Sequence, residues 1–230
     1  MLFDGKKIEF VLLEKLKGVD AKGWIFFAAA AVLAAALIIF LVQRRKKCTE
    51  PATFTGNPTP TVILVHGALC IAISFVLSYF KLFSMPNGGS ITLASMLPLM
   101  VYSNRYGAKY GVMAGVVYGF LQYIQKPEMT HWIQMLVDYP IAFGVIGLGG
   151  LVKGERNLVF SVLIGGTLRF LCHLFTGAVF FGEYADAAGQ PAFMYSLLYN
   201  APYMFADIAV CVIIAMLPPF RKAIRSALKY

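Results

Sequence analysis

Four ionisable side chains stand inside stretches that are otherwise apolar: Asp138, Arg169, His173 and Asp207. In a hydrocarbon environment each costs a few kcal/mol, so such residues mark ligand or ion paths by default. Asn200, Tyr139 and Tyr195 add an amide and two phenols in neighbouring stretches. One carboxylate, an imidazole, a carboxamide and several aromatic faces suit a small, flat, cationic heteroaromatic ligand. The carboxylate neutralises a ring cation, and the aromatic faces stack on it and attract its charge, up to about 2 kcal/mol when desolvated. The chain carries no nucleophile–base pair, glycine-rich phosphate loop or metal-ligand cluster. The expectation is therefore binding without catalysis, with no cofactor and no metal. No ATPase motif is present either, so energy for transport must come from a partner or an ion gradient.

The elements that position these residues follow from composition. Of 230 residues, 59% are hydrophobic and only 13% charged, too few charges to coat a water-facing surface. Apolar runs cover residues 23–42, 61–80, 90–103, 109–124, 132–152, 157–181 and 193–218. About 20 helical residues cross a hydrocarbon core of roughly 30 Å. The expected fold is an all-α polytopic membrane protein, with a six-helix core and one extra N-terminal transmembrane helix. Its expected divisions are a tail (1–22, with a short surface helix), the extra helix with a basic stop (23–47), a linker (48–60), the core (61–220) and a basic cytoplasmic tail (221–230). The run 90–103 is short and contains Pro98, which suggests a tilted or broken segment. Cys48, Cys70, Cys172 and Cys211 have no metal-site spacing and read as small hydrophobes.

The net charge of +9 sits in clusters at the ends of apolar runs and does not indicate nucleic acid. With both ends of the core in the cytoplasm, the inside segments hold Arg44, Arg45, Lys46, Lys47, Arg105, Lys109, Lys153, Arg156, Arg221, Lys222, Arg225 and Lys229, against Lys81 and Lys126 outside. That asymmetry orients the core and sends the chain's N-terminus outside, although five lysines in the tail oppose it. The loops 81–89, 125–131 and 182–192 then face outward. At 1.5 Å per residue, Asp138, His173 and Asn200 lie about 9, 12 and 10 Å below the outer ends of three different helices. Arg169 and His173, four residues apart, share a helical face. Arg169 and Asp207 lie near mid-membrane, and an ion pair of Arg169 with Asp207 or Asp138 that only holds helices together is the competing reading. His66 and His131 read as structural.

At these residues the sequence resembles the ThiT family, the thiamine-specific substrate-binding (S) components of energy-coupling factor (ECF) transporters. The resemblance spans roughly residues 61–220. It rests on the ordered strings Gly88-Gly89-Ser90-Ile91-Thr92-Leu93, Arg105-Tyr106-Gly107 with Gly111 and Gly115, Asp138-Tyr139-Pro140-Ile141-Ala142-Phe143, Gly147-Leu148-Gly149-Gly150, Arg169-Phe170-Leu171-Cys172-His173 with Gly177, and Tyr195-Ser196-Leu197-Leu198-Tyr199-Asn200. It implies a pocket in the outer half of the core, capped by the first outside loop. Asp138 stands for the family's acidic residue, where glutamate also occurs, so the shorter side chain must sit nearer the ligand or bridge through water. His173, Gly177, Tyr195 and Asn200 map onto further pocket positions, and Arg169 falls where lysine can occur. Tyr118 and Phe181 stand where tryptophans are expected in some members, and Tyr139 either contacts ligand or packs.

The resemblance also implies partners: a transmembrane coupling protein and two ATPase subunits. Docking would use small residues on the first core helix, here Ala68 and Ala72, with Gly67 and Ser74 nearby. Small residues four apart let helices approach closely in lipid. The reading is a high-affinity thiamine-binding subunit of an importer in a bacterial cell membrane. Its rivals are the same fold binding a precursor such as hydroxymethylpyrimidine or another vitamin, a self-sufficient proton-coupled transporter using Asp138 or Asp207, and a membrane-embedded enzyme or assembly factor. The extra helix either packs on the core or shields the docking face.

Overall fold

The computed structural model describes residues 14–47, 58–85 and 89–228, with side chains given for only part of 34–47. The beginning of the tail, most of the linker, the basic stop's side chains, the tip of the first loop and the last two residues lie outside that description. Nine helical elements are used below: α1 (Ala21–Lys47), α2 (Pro60–Ser78), α3 (Leu97–Tyr106), α4 (Ala108–Gln125), α5 (Trp132–Leu151), α6 (Leu158–Phe180), α7 (Gly182–Ala187), α8 (Ala192–Met216) and α9 (Pro218–Ala227). Among the described residues the only sheet is an antiparallel two-stranded ribbon, β1 (Lys81–Ser84) with β2 (Ser90–Thr92).

The chain is an all-α polytopic membrane protein: α2, α3, α4, α5, α6 and α8 form the core and α1 is additional. Among the described residues α2, α5, the segment Glu155–Phe180 and α8 are each long and apolar enough to cross a bilayer. The expected run 90–103 divides: residues 90–92 pair as β2, and the helix starts only at Leu97 with Pro98 in its first turn. Proline is tolerated there because first-turn N–H groups lack intrahelical partners. The resulting α3 has 10 residues, about 15 Å of rise, and cannot span alone. It is shielded instead: Leu97, Leu99, Met100, Tyr102 and Tyr106 are all buried.

The C-terminal segment also departs from a plain tail. The chain turns at Leu217, and α9 runs through the expected boundary at residue 220. Ile224 and Leu228 pack into the main core while Lys222 and Arg225 face out, and Arg225 donates to both Glu155 carboxylate oxygens at 2.9 and 2.7 Å. The extra helix α1 packs against α6 and the Gly147–Leu151 turn that ends α5. On α2, Ala68 and Ala72 are exposed beside Leu64, Leu69, Ile73 and Val76, whereas Gly67 packs against Tyr102 and Ser74 is buried.

Candidate functional site

The cavity forms where α5, α6 and α8 approach the β-ribbon. The local chemistry of α5 explains its shape. Pro140 lacks an N–H and cannot continue an ordinary α-helix ladder, and the backbone widens into a π-helical turn at Val137–Ile141. That turn carries Asp138. Gly119 on α4 makes room for it, since a Cβ there would lie 2.5 Å from the Tyr139 carbonyl oxygen. On the next helix Gly177 does the same for α8: a Cβ would lie 2.2 Å from Ser196 Oγ and 3.1 Å from Asn200 Nδ2.

The result is a cavity of about 480 Å³, within the usual range for small-molecule sites. Asp138, Tyr139, Arg169, His173, Gly177, Phe181, Tyr195 and Asn200 all line it. Tyr118 does not. It is fully buried behind the wall, its hydroxyl donating to the Ser74 carbonyl at 3.2 Å and its ring meeting Phe143 edge to face. Phe143, rather than Tyr118, reaches the cavity. The reason is direction: Tyr118 points from α4 toward α2, and its ring packs against Phe143 of α5, which lines the cavity.

Asp138 is the most heavily supported group. Its carboxylate accepts from Gln134 Nε2 at 2.6 Å and Thr176 Oγ1 at 2.5 Å, with His173 Nδ1 at 3.0 Å. The His173 carbonyl in turn lies 3.4 Å from Asn200 Nδ2, and Asn200 Oδ1 accepts from the Tyr203 hydroxyl at 2.8 Å. Three helices are thereby joined through one polar network. Tyr139 lies at the mouth, where its hydroxyl donates to the Lys126 carbonyl at 2.8 Å and accepts from the Glu128 amide at 3.3 Å. Its polar end is thus engaged with the loop, leaving its ring for the cavity.

Arg169 pairs with Asp207, at 3.8 Å, and lies over the Phe143 ring at 4.3 Å. Asp207 also accepts from the Thr92 amide and hydroxyl at 3.0 and 3.1 Å, anchoring β2 to α8. Arg169 and Asp207 thus form one cation–anion pair in the depth of the cavity, and Asp138 is the second acidic side chain there, with the His173 imidazole against it. His66 bonds the Tyr106 hydroxyl, and His131 caps α5 and stacks on Phe180. Burial, with Lys15 nearby, holds the His131 pKa below the usual histidine value.

Sequence reasoning missed Gln134, Thr176, Tyr199 and Tyr203. The clues were spacings: Gln134 precedes Asp138 by four, Thr176 follows His173 by three, and Tyr195, Tyr199 and Tyr203 repeat every four along one face. The Tyr195 and Tyr199 rings are near-parallel, 13° apart with centroids at 6.3 Å, and the Tyr199 hydroxyl accepts from the Gly89 amide at 3.1 Å.

Residues 64–226 match the family model described as thiamine transporter protein (Thia_YuaJ). The chain belongs to this family. It is 35% identical over 170 residues to the thiamine transporter ThiT of Bacillus subtilis, covering 67% of this chain and 86% of that one. A ThiT from Lacticaseibacillus paracasei is 26% identical over 179 residues, covering 68% and 86%. In fold it is similar to the solved ThiT of Listeria monocytogenes, with a TM-score of 0.63 at 24% identity over 73% of this chain and 98% of that one. The family is one of transporters, not of catalysts. The matched residues begin within α2, so α1 lies outside them.

Proposed function

We propose that this protein captures thiamine from outside the cell and is the substrate-binding component of an ECF importer. The carrying observation is the Asp138 carboxylate, held by three donors in a cavity walled with tyrosines and otherwise charge-balanced in its depth. Thiamine is a cationic two-ring heteroaromatic, and this is the electrostatic and stacking environment such a cation needs. In this reading Asp138 and His173 hold the cationic ligand, Asn200 reads its polar edge, and Tyr139, Phe181 and Tyr195 stack. Arg169 and Gly177 shape the wall. The names of the bacterial relatives support thiamine as the ligand.

The cavity mouth is rimmed by residues from the loops after α2, α4 and α6, and the basic asymmetry supports those loops facing outward. Delivery runs through a transmembrane coupling protein driven by two ATPases, docked on the α2 face at Ala68 and Ala72. Their exposure supports that role.

Calorimetric titration of the purified protein with thiamine, and separately with its pyrimidine and thiazole halves, tests the reading. Saturable binding is expected for thiamine, weakened about 100-fold by Asp138→Asn, or about 2.7 kcal/mol. No binding, or unchanged affinity in an Asp138→Asn/Asn200→Ala double variant, overturns the site. Uptake into liposomes on a proton gradient alone overturns the ATPase coupling.

A further inference from the structure

The extra helix has a place in the fold that its sequence alone does not explain. Val19, just before α1, is buried among Val179, Phe180 and Ala178, with Leu16, Phe27, Phe181 and Phe193 packed against the same cluster. Phe27 meets Phe175 edge to face at 5.4 Å and Phe193 at 5.7 Å. It also packs, with Phe193 and Tyr199, against a second cluster, which holds Phe170, Leu174, Tyr203 and Met204. Phe27 therefore touches two of the hydrophobic clusters to which α6 contributes. Close approach is built in at Gly23, where a Cβ would lie 3.1 Å from Phe193 Cβ and 2.9 Å from Val19. Lys15 completes the contact by donating to the Phe180 carbonyl at 3.5 Å, at the C-terminal end of α6.

One of these partners, Phe181, itself lines the cavity. Phe180 precedes the cavity residue Phe181, and Phe193 stands two residues before the cavity residue Tyr195. We propose that Val19, Gly23 and Phe27 are positioning residues for the ligand site, with the N-terminal helix acting as a brace that fixes the Phe181 and Tyr195 walls from behind. The inference rests on the thiamine reading for its ligand but not for its geometry. A brace of this kind limits the opening motions through which a bound molecule leaves, so its loss acts mainly on dissociation.

The test uses the full chain in lipid nanodiscs with Gly23→Val, Phe27→Ala and Phe27→Leu, and with Ile25→Ala as control because Ile25 is 69% exposed. Two readouts are taken: thiamine association and dissociation rates, and amide hydrogen exchange of residues 177–184 and 193–199. Gly23→Val and Phe27→Ala are expected to speed dissociation about tenfold with little change in association. Exchange of both wall segments rises in these variants, Phe27→Leu restores most of the loss, and the control matches wild type. Unaltered exchange, or loosened walls with unaltered dissociation, overturns the brace. If wild type itself does not bind thiamine, the functional reading falls and exchange alone decides the brace. If Gly23→Val does not fold, the two Phe27 variants carry the same comparison.

Discussion

The two ends of the helical core solve opposite problems. At the cavity end, polar side chains tie α5, α6 and α8 together around a hollow: Thr176 and His173 on α6 reach Asp138 on α5, and Asn200 on α8 reaches the His173 carbonyl. At the basic end, α3, α4 and the last turn of α5 touch backbone to backbone. A Cβ on Gly147 would lie 2.1 Å from the Val112 nitrogen, and one on Gly111 2.3 Å from Ser103 Cβ. Lipid tails supply no hydrophobic drive between helices, so close van der Waals packing must hold a membrane bundle together. The glycine-packed end supplies that rigidity, which lets the other end keep a hollow without collapsing. Hydrogen bonds then do at the cavity what side-chain interlock does elsewhere.

The sharpest way to break this contrast is Gly147→Val. Its side chain overlaps main-chain atoms that cannot yield, so a loss beyond about 4 kcal/mol is expected, seen as failure to recover a folded monomer in detergent. Next comes Asp207→Asn, which strands Arg169 and weakens the tie to Thr92. Removing one partner of a buried pair costs about 3–5 kcal/mol, and because the pair lines a cavity the lower figure is expected in thermal unfolding. An Arg169→Met/Asp207→Leu double variant should recover most of it, and failure to do so would show that the Thr92 anchor dominates. The smallest effect belongs to Tyr139→Phe. Its two loop contacts are partly exposed, so about 0.5–1 kcal/mol is expected, with faster exchange confined to residues 126–128.

Much of the site was legible because its members violate the local composition. Asp138, Arg169 and His173 stand out in apolar runs, and helical rise alone brings Asp138, His173 and Asn200 to one depth. Tyr118 entered by resemblance alone, which carries over a position in the chain but not a side chain's direction: its hydroxyl points toward α2. Gln134 and Thr176 were passed over because uncharged polar residues are common in membrane helices, and their role exists only through Asp138. The pairing of Arg169 with Asp207 rather than Asp138 was equally open, since both acids are within a long side chain's reach.

The strand in residues 90–92 illustrates a further limit. Ser-Ile-Thr followed by an apolar stretch reads as the start of a helix, and only the partner strand 81–84 and the Asp207 carboxylate, 115 residues from Thr92, make it extended. In the same way α1 is recognisable as a helix but silent about which face it covers.

The sequence by itself determined that the chain is membrane-embedded, how many apolar segments it has, and which residues cost too much in lipid to be idle. Those properties are sums over local chemistry, and each residue carries its share wherever it sits. Only the tertiary structure decided which acid meets which cation, which aromatic ring faces the cavity, and that α1 lies against α6 rather than α2. Those are questions of rotation about helix axes and of which neighbours can approach closely, and they are settled by packing between segments far apart in the chain.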